Sequence, residues 1–174
     1  LDAKLKAAVN DFDFNSYVRL ISDFANNDLS AFLFDIRKDS LYCDVGPALP
    51  GGTDKRKAYR TVLNEIFEAL VRWIAPVLVF TAEEVWGTRC PKTESVHLLE
   101  WPELNSGWIN PDLATKWLRV REIRAAVSNA IEPLRREKII GSSLEADVWI
   151  AVDQSEHEWL KAMPLEEIFI TARV

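Results

Sequence analysis

Three sets of basic side chains carry the spacing needed to hold a polyanion. Lys55, Arg56, Lys57 and Arg60 bunch at the expected start of a helix, where the helix dipole disfavours cations. Residues set against a local rule invite a functional reading. Arg37-Lys38-Asp39 is followed by Tyr42, and cations interleaved with aromatic rings suit phosphate contact combined with base stacking. Arg121, Arg124 and Arg135 fall near one helix face, since the 14 residues from Arg121 to Arg135 make close to four turns. Solvated helix ends would account for the same residues, with Arg37 and Lys38 beside a negatively polarised C-terminus.

Other chemistries find little support. Cys43 and Cys90 are isolated and form no CxxC pair, and His97 and His157 stand alone. No metal-ligand spacing results. The Pro50-Gly51-Gly52 stretch lacks the GxxxxGK[ST] or GxGxxG spacing of a phosphate loop. Ser142-Ser143 has no nucleophile elbow around it. Pairs such as Glu83-Glu84 are explained as first-turn helix residues. The expectation is no catalytic residue, no metal and no cofactor within these residues.

The 174 residues carry a net charge of −6, so the chain as a whole repels polyanions. Any nucleic-acid role must therefore rest on local patches. The charge is segregated: residues 116–138 hold seven basic and three acidic side chains, whereas 145–167 are strongly acidic with a single lysine. A hydrophobic content of 48% with seven Trp supplies a core and argues against disorder. LDAKLKAAVN is too polar for a signal peptide. No apolar run approaches the roughly 20 residues of a membrane span. A reduced, cytoplasmic protein and a fragment of a longer one are the simplest expectations.

The elements that would position these cations follow from periodicity. Phe14, Tyr17, Val18, Ile21, Phe24 and Ala25 predict an amphipathic helix. Asn26-Asn27-Asp28 is expected to interrupt it, and Leu29, Phe32, Leu33 and Ile36 to resume it. Residues 45–54 read as a loop, with Thr53 or Asp54 as the next cap. Tyr59, Val62, Leu63, Ile66, Phe67, Leu70, Trp73 and Ile74 keep helical phase until Pro76. Thr81 to Glu84 reads as a capping box, stapled by Phe80 and Val85, for a short helix carrying Trp86 in the core. Residues 90–110 are irregular. Asn110-Pro111 then opens a long helix, its apolar face running from Leu113 and Trp117 to Leu134, with a kink expected at Pro133. Leu144 to Val152 alternates as a strand, Ser155 to Glu158 opens a short helix, and Ile168 to Val174 alternates again. The expected class is mainly α: a helical bundle over 1–106, then a long helix and a small α/β unit with a short sheet over 107–174.

Four segments in order sharpen this. NDLSAFLFDIRKDSLYCD (27–44) resembles the stretch NDLSSFYFDIxKDRLYCD of bacterial-type isoleucyl-tRNA synthetases. RKAYRTVL (56–63) is similar to their RRSAQTVL, LVRWIAPVLVFTAEEVW (70–86) to LxRLLAPILPFTAEEIW, and REKIIGSSLEADV (136–148) to RxxKxIGSSLEAxV. The third pattern is shared with the valine and leucine enzymes, whereas the first and last are specific. Ser40 stands where the family usually has Arg, and Arg60 where Gln is common.

The resemblance implies an anticodon-binding helical bundle followed by an α/β junction. Its partner would be the anticodon stem-loop of an isoleucine tRNA, with Arg37, Lys38, Arg56, Lys57, Arg60, Arg121, Arg124 and Arg135 as tRNA contacts. Catalytic and editing domains, with ATP and Mg, would belong to other parts of the parent enzyme, because neither HIGH nor KMSKS occurs here. Two alternatives stand beside this reading: the corresponding module of a valyl- or leucyl-tRNA synthetase, and a helical protein-interaction domain.

Overall fold

The computed structural model describes residues 1–43 and 52–174, with side chains described from residue 54 in the second stretch. The protein is mainly helical and divides into two compact units, Leu1–Asn105 and Ser106–Val174. Among the described residues no helix is long and apolar enough to cross a membrane.

In the first unit, α1 (Asp2–Asn10) precedes a helical run built of α2 (Phe14–Asp23), a π-helical segment (Phe24–Phe34) and α3 (Asp35–Tyr42). Asp13 caps α2 by accepting from the Ser16 amide at 3.0 Å. The interruption expected at Asn26-Asn27-Asp28 does not occur: backbone angles stay helical at Asp23, Phe24, Phe34 and Asp35, on both sides of the π segment. Cap preference is a weak local term. Here it yields to the burial of Ile21 before the Asn pair and of Leu29 and Ile36 after it. A wider i→i+5 turn absorbs the mismatch between the two faces.

Helix α4 (Gly52–Ile74) is the centre of the unit. It starts earlier than expected, so Thr53 and Asp54 lie inside its first turn, while residues 45–51 of the expected loop fall outside the described set. Ala69 and Trp73 pack on Leu5 and Ala8 of α1 and on Tyr17 and Ile21 of α2. Val71 packs with Ala75, Ala82, Trp86 and Val96 on the opposite side. Pro76, which has no amide proton, follows directly. The Val77 and Leu78 amides both turn back to the Ile74 carbonyl, so the Trp73 carbonyl takes its hydrogen bond from the buried Tyr17 hydroxyl at 2.6 Å. Burial pushes that hydroxyl up to about 12.

Helix α5 (Val79–Arg89) begins two residues before Thr81, with Leu78 at its cap position and no side-chain capping bond. Phe80 is 88% exposed, so the expected staple is not made. Trp86 is buried as expected and donates to the Glu94 carbonyl at 2.9 Å. The Glu83 carboxylate accepts from the Ser95 hydroxyl and the Val96 amide, tying the following turn to α5.

In the second unit, Asn110 caps α6 (Pro111–Arg136) through the Leu113 amide at 2.9 Å, as its Asn-Pro start predicts. Val120, Ile123, Val127 and Ile131 form the buried stripe. They pack on Leu160 of α7 (Gln154–Leu160) and on Ile168 and Phe169 of α8 (Leu165–Phe169). Asp153 caps α7 in place of the expected Ser155, accepting from the Glu156 amide and the Ser155 hydroxyl, both at 2.8 Å. These bonds, the amide first, hold its carboxyl below the usual carboxylate range.

The strand expected over 144–152 does not form as such: Ser143–Glu145 is a 3-10 turn with Leu144 exposed. The alternation holds only from Ala146, where Ala146, Val148, Ile150 and Val152 pack on the core while Asp147, Trp149 and Ala151 are exposed. Its pairing among the described residues is one parallel bridge, Asp147 with Arg173. The strand expected from Ile168 is replaced at its start by α8. Leu165, Ile168 and Phe169 are spaced i, i+3, i+4 and all face the core, a helical pattern that the alternation of Ile168 and Ile170 only partly samples. Ile170, in the left-handed conformation, ends the helix and turns the chain toward the bridge.

Candidate nucleic-acid interface

The first half of α4 builds one wall of a cleft of about 650 Å³. Lys57, Arg60, Asn64 and Phe67 follow one another at three- and four-residue steps, which puts them on one face. Arg89, in the last turn of α5, reaches the same cleft and donates to the Asn64 side-chain carbonyl at 3.3 Å. Below them the Phe67 ring stacks on Trp86 at 6.3 Å and 8°. Trp86 is in turn held by its bond to the Glu94 carbonyl.

Among the described residues Lys57, Arg60 and Arg89 have no carboxylate partner, and neither does Arg56, which is exposed and does not line the cleft. Elsewhere many cations are neutralised. Lys6 pairs with Asp2 at 2.9 Å, Arg72 with Glu68 at 3.1 Å, and Lys161 with Glu158 at 2.6 Å. Unneutralised cations facing one cleft give a local positive field in an acidic chain, the condition for binding an anion by charge.

A second depression, about 430 Å³, lies beside the first and shares Leu63 with it. Phe34, Leu41, Tyr42, Tyr59 and Leu63 give it an apolar wall, and Lys38 bonds Asp35 at 2.9 Å on its rim. Arg37 is half-buried on the same helix. Burial pushes the Tyr59 hydroxyl up, and so does Tyr42, while Arg37 acts in the opposite direction. The three residues therefore share one electrostatic neighbourhood.

The cations singled out in the second unit are placed differently. Arg124 is half-buried and donates from Nε to the Ile168 carbonyl at 2.9 Å, which ties α6 to α8. Arg121 is half-buried on α6. Arg135 is exposed, bonds Glu132 at 3.3 Å, and lines an open cleft of about 500 Å³ with Arg136 and Lys138. Arg119, which sequence reasoning passes over, joins α6 to α7 through a two-bond contact with Glu156 and also bonds Glu122, and these partners raise its pKa further.

Sequence reasoning also misses Asn64, Phe67 and Arg89 as partners of Lys57 and Arg60. Periodicity marks Phe67 as core only. Arg89 carries no local signal beyond its favourable place near a helix C-terminus, and only the packing of α5 on α4 brings it to the cleft.

The first unit thus presents a cationic cleft and an adjoining aromatic depression on its central helix. The family model described as the anticodon-binding domain of tRNA ligase matches residues 1–150, and the chain belongs to that family. Its relatives include isoleucine–tRNA ligases. That of Zymomonas mobilis is 58% identical over 174 residues, and those of Agrobacterium fabrum and Bartonella henselae are 44% identical over 175 and 173 residues. These matches cover 99–100% of this chain but only 17–18% of each relative's length.

Proposed function

We propose that this chain is the tRNA-recognition part of an isoleucine–tRNA ligase, holding the anticodon stem-loop so that the acceptor end reaches a catalytic domain elsewhere in the parent. The observation that carries the reading is the cleft whose cations, Lys57, Arg60 and Arg89, lack carboxylate partners among the described residues, beside an aromatic depression. Phosphates would neutralise those cations, and unpaired loop bases would be splayed onto the neighbouring surface. Arg37, Lys38 and Arg56 flank the same helices and extend the positive rim. In the second unit Arg135, with Arg136 and Lys138, is the better placed contact, since Arg124 is engaged in packing. Isoleucine activation, with ATP and Mg, belongs to the parent's catalytic domain, in the cytoplasm, and no residue here has a catalytic role. The bridge at Asp147 and Arg173 is the seed of the junction's short sheet in this reading.

The test is a titration of the chain with isoleucine tRNA and with a tRNA of different anticodon, at low and moderate salt. Binding should be weak, salt-dependent and better for the isoleucine tRNA. Lys57→Glu, Arg60→Glu and Arg89→Ala should each lower affinity and reduce the log–log salt slope by about one for each phosphate no longer neutralised. Equal affinity for both tRNAs would sink anticodon reading by this piece. Indifference to all three substitutions would sink the cleft as the binding surface.

A further inference from the structure

We propose that Tyr42 is the stacking platform for one unpaired nucleobase, whose neighbouring phosphate lies in the Lys57–Arg60–Arg89 cleft; this rests on the RNA-binding reading above. Tyr42 ends α3 with 84% of its surface exposed. Exposure alone does not single it out, since Phe12, Phe80 and Trp149 are about as open and lone exposed apolar rings are ordinary. It is not a stray side chain, because it lines a depression with Phe34, Leu41, Tyr59 and Leu63. That depression, at about 430 Å³, falls within the range of small-ligand sites, about 300–1,000 Å³.

Charge on either side selects the occupant. Tyr59 and Arg60 are adjacent on α4, yet Tyr59 lines the aromatic depression and Arg60 the cationic cleft, with Leu63 common to both. A ligand spanning them must be planar and apolar at one end and anionic at the other, within about one helical turn of about 5.4 Å. A nucleotide has that form: its base stacks on an aromatic face and its phosphate meets the cations. Lys38 and Asp35, paired on the rim, offer a donor and an acceptor to the edge of the base. An apolar peptide would fill the depression but leave the cations of the cleft unmatched.

The experiment uses the 174-residue chain and an isoleucine tRNA anticodon stem-loop carrying 2-aminopurine at each unpaired loop position in turn. The expected result is stacking-induced quenching at one position on binding. Tyr42→Ala should abolish that quench and weaken binding about ten-fold or more, with the salt slope unchanged because the ring neutralises no phosphate. Tyr42→Phe and Tyr42→Trp should keep both quench and affinity. Tyr42→Ala is judged only with circular dichroism matching the parent, and Tyr42→Phe guards against a folding artefact. If Tyr42→Ala binds and quenches like the parent while Arg60→Glu weakens binding, the platform is overturned, the cleft stands, and the Tyr42 face is left for a protein partner. If neither substitution changes binding, the platform falls together with the RNA-binding reading.

Discussion

Replacing Tyr17 by Phe isolates one buried hydrogen bond at the point where α4 stops. The hydroxyl donates to the Trp73 carbonyl at 2.6 Å, and the residue is 1% exposed. No backbone donor can take over, because Pro76 has none and the Val77 and Leu78 amides are committed to Ile74. Phe keeps the ring packed on Leu5, Ala8, Ile21, Ala69 and Trp73, so the damage is confined to the bond and to a buried carbonyl left unpaired. That combination is expected to cost about 2 kcal/mol. The assay is urea denaturation followed by tryptophan fluorescence, with the midpoint falling at constant slope. The same pair of proteins makes a pH prediction. The folded pKa of Tyr17, about 12, lies above its unfolded value of 10.0. Its contribution is therefore fully present below pH 10 and lost as pH rises toward 12, a change of about 3 kcal/mol at most. The stability gap between wild type and Tyr17→Phe should shrink across that window. A variant within about 0.5 kcal/mol of wild type at neutral pH, the common range for an inconsequential exposed change, would refute the reasoning, and so would a gap that stays constant as pH rises from neutral through that window.

Two further outcomes concern the second unit. Arg124→Ala should destabilise it by about 2 kcal/mol by removing the charge-assisted bond to the Ile168 carbonyl, while tRNA affinity per folded molecule stays unchanged; a fall in affinity with stability intact would give Arg124 a direct contact instead. Asp153→Ala should lower the unit's melting temperature and Asp153→Asn should largely retain it, because Asn also caps. The depressed carboxyl of Asp153 supplies stability that is present above the usual carboxylate range and lost as pH falls through it, so the Asp153→Ala difference should fade in acid, as followed by thermal denaturation across pH.

The helices are legible in the sequence because their apolar stripes are long. The stripe from Val120 to Ile131 specifies both phase and buried face. The run from Tyr59 to Ile74 specifies the helix but not its whole buried face, since Val62 is exposed and the buried Ala69 and Val71 lie outside the expected stripe. Asn110-Pro111 is legible as well, since no competing cap stands near it. Boundaries fail where two local signals compete: Asp153 against Ser155, and helix continuity against the Asn26-Asn27-Asp28 cap. The segment from Ile168 fails because so short a stretch can carry both a period-2 and a helical pattern, and only burial decides between them. For the candidate site, the basic residues themselves stand out by type. Their grouping does not. Whether a cation is neutralised, as Lys38 is by Asp35, or joined by a distant one, as Arg60 is by Arg89, depends on side-chain reach and helix packing, which spacing along the chain does not encode.

The π segment from Phe24 to Phe34 also sets an angle. In an α-helix each residue turns the chain by about 100°, and a widened turn holds a surplus residue without breaking the rod. Rewinding the same residues as plain α-helix, with none removed, would swing everything beyond the segment by about that angle for each surplus residue. Tyr17 and Ile21 would stay seated on α1 and α4, while Arg37, Lys38 and Tyr42 would rotate off the side that faces Tyr59 and Leu63. The wide winding of this Asn-rich stretch therefore works as an aiming device, fixing where the far end of the rod from Phe14 to Tyr42 presents its ring and charges.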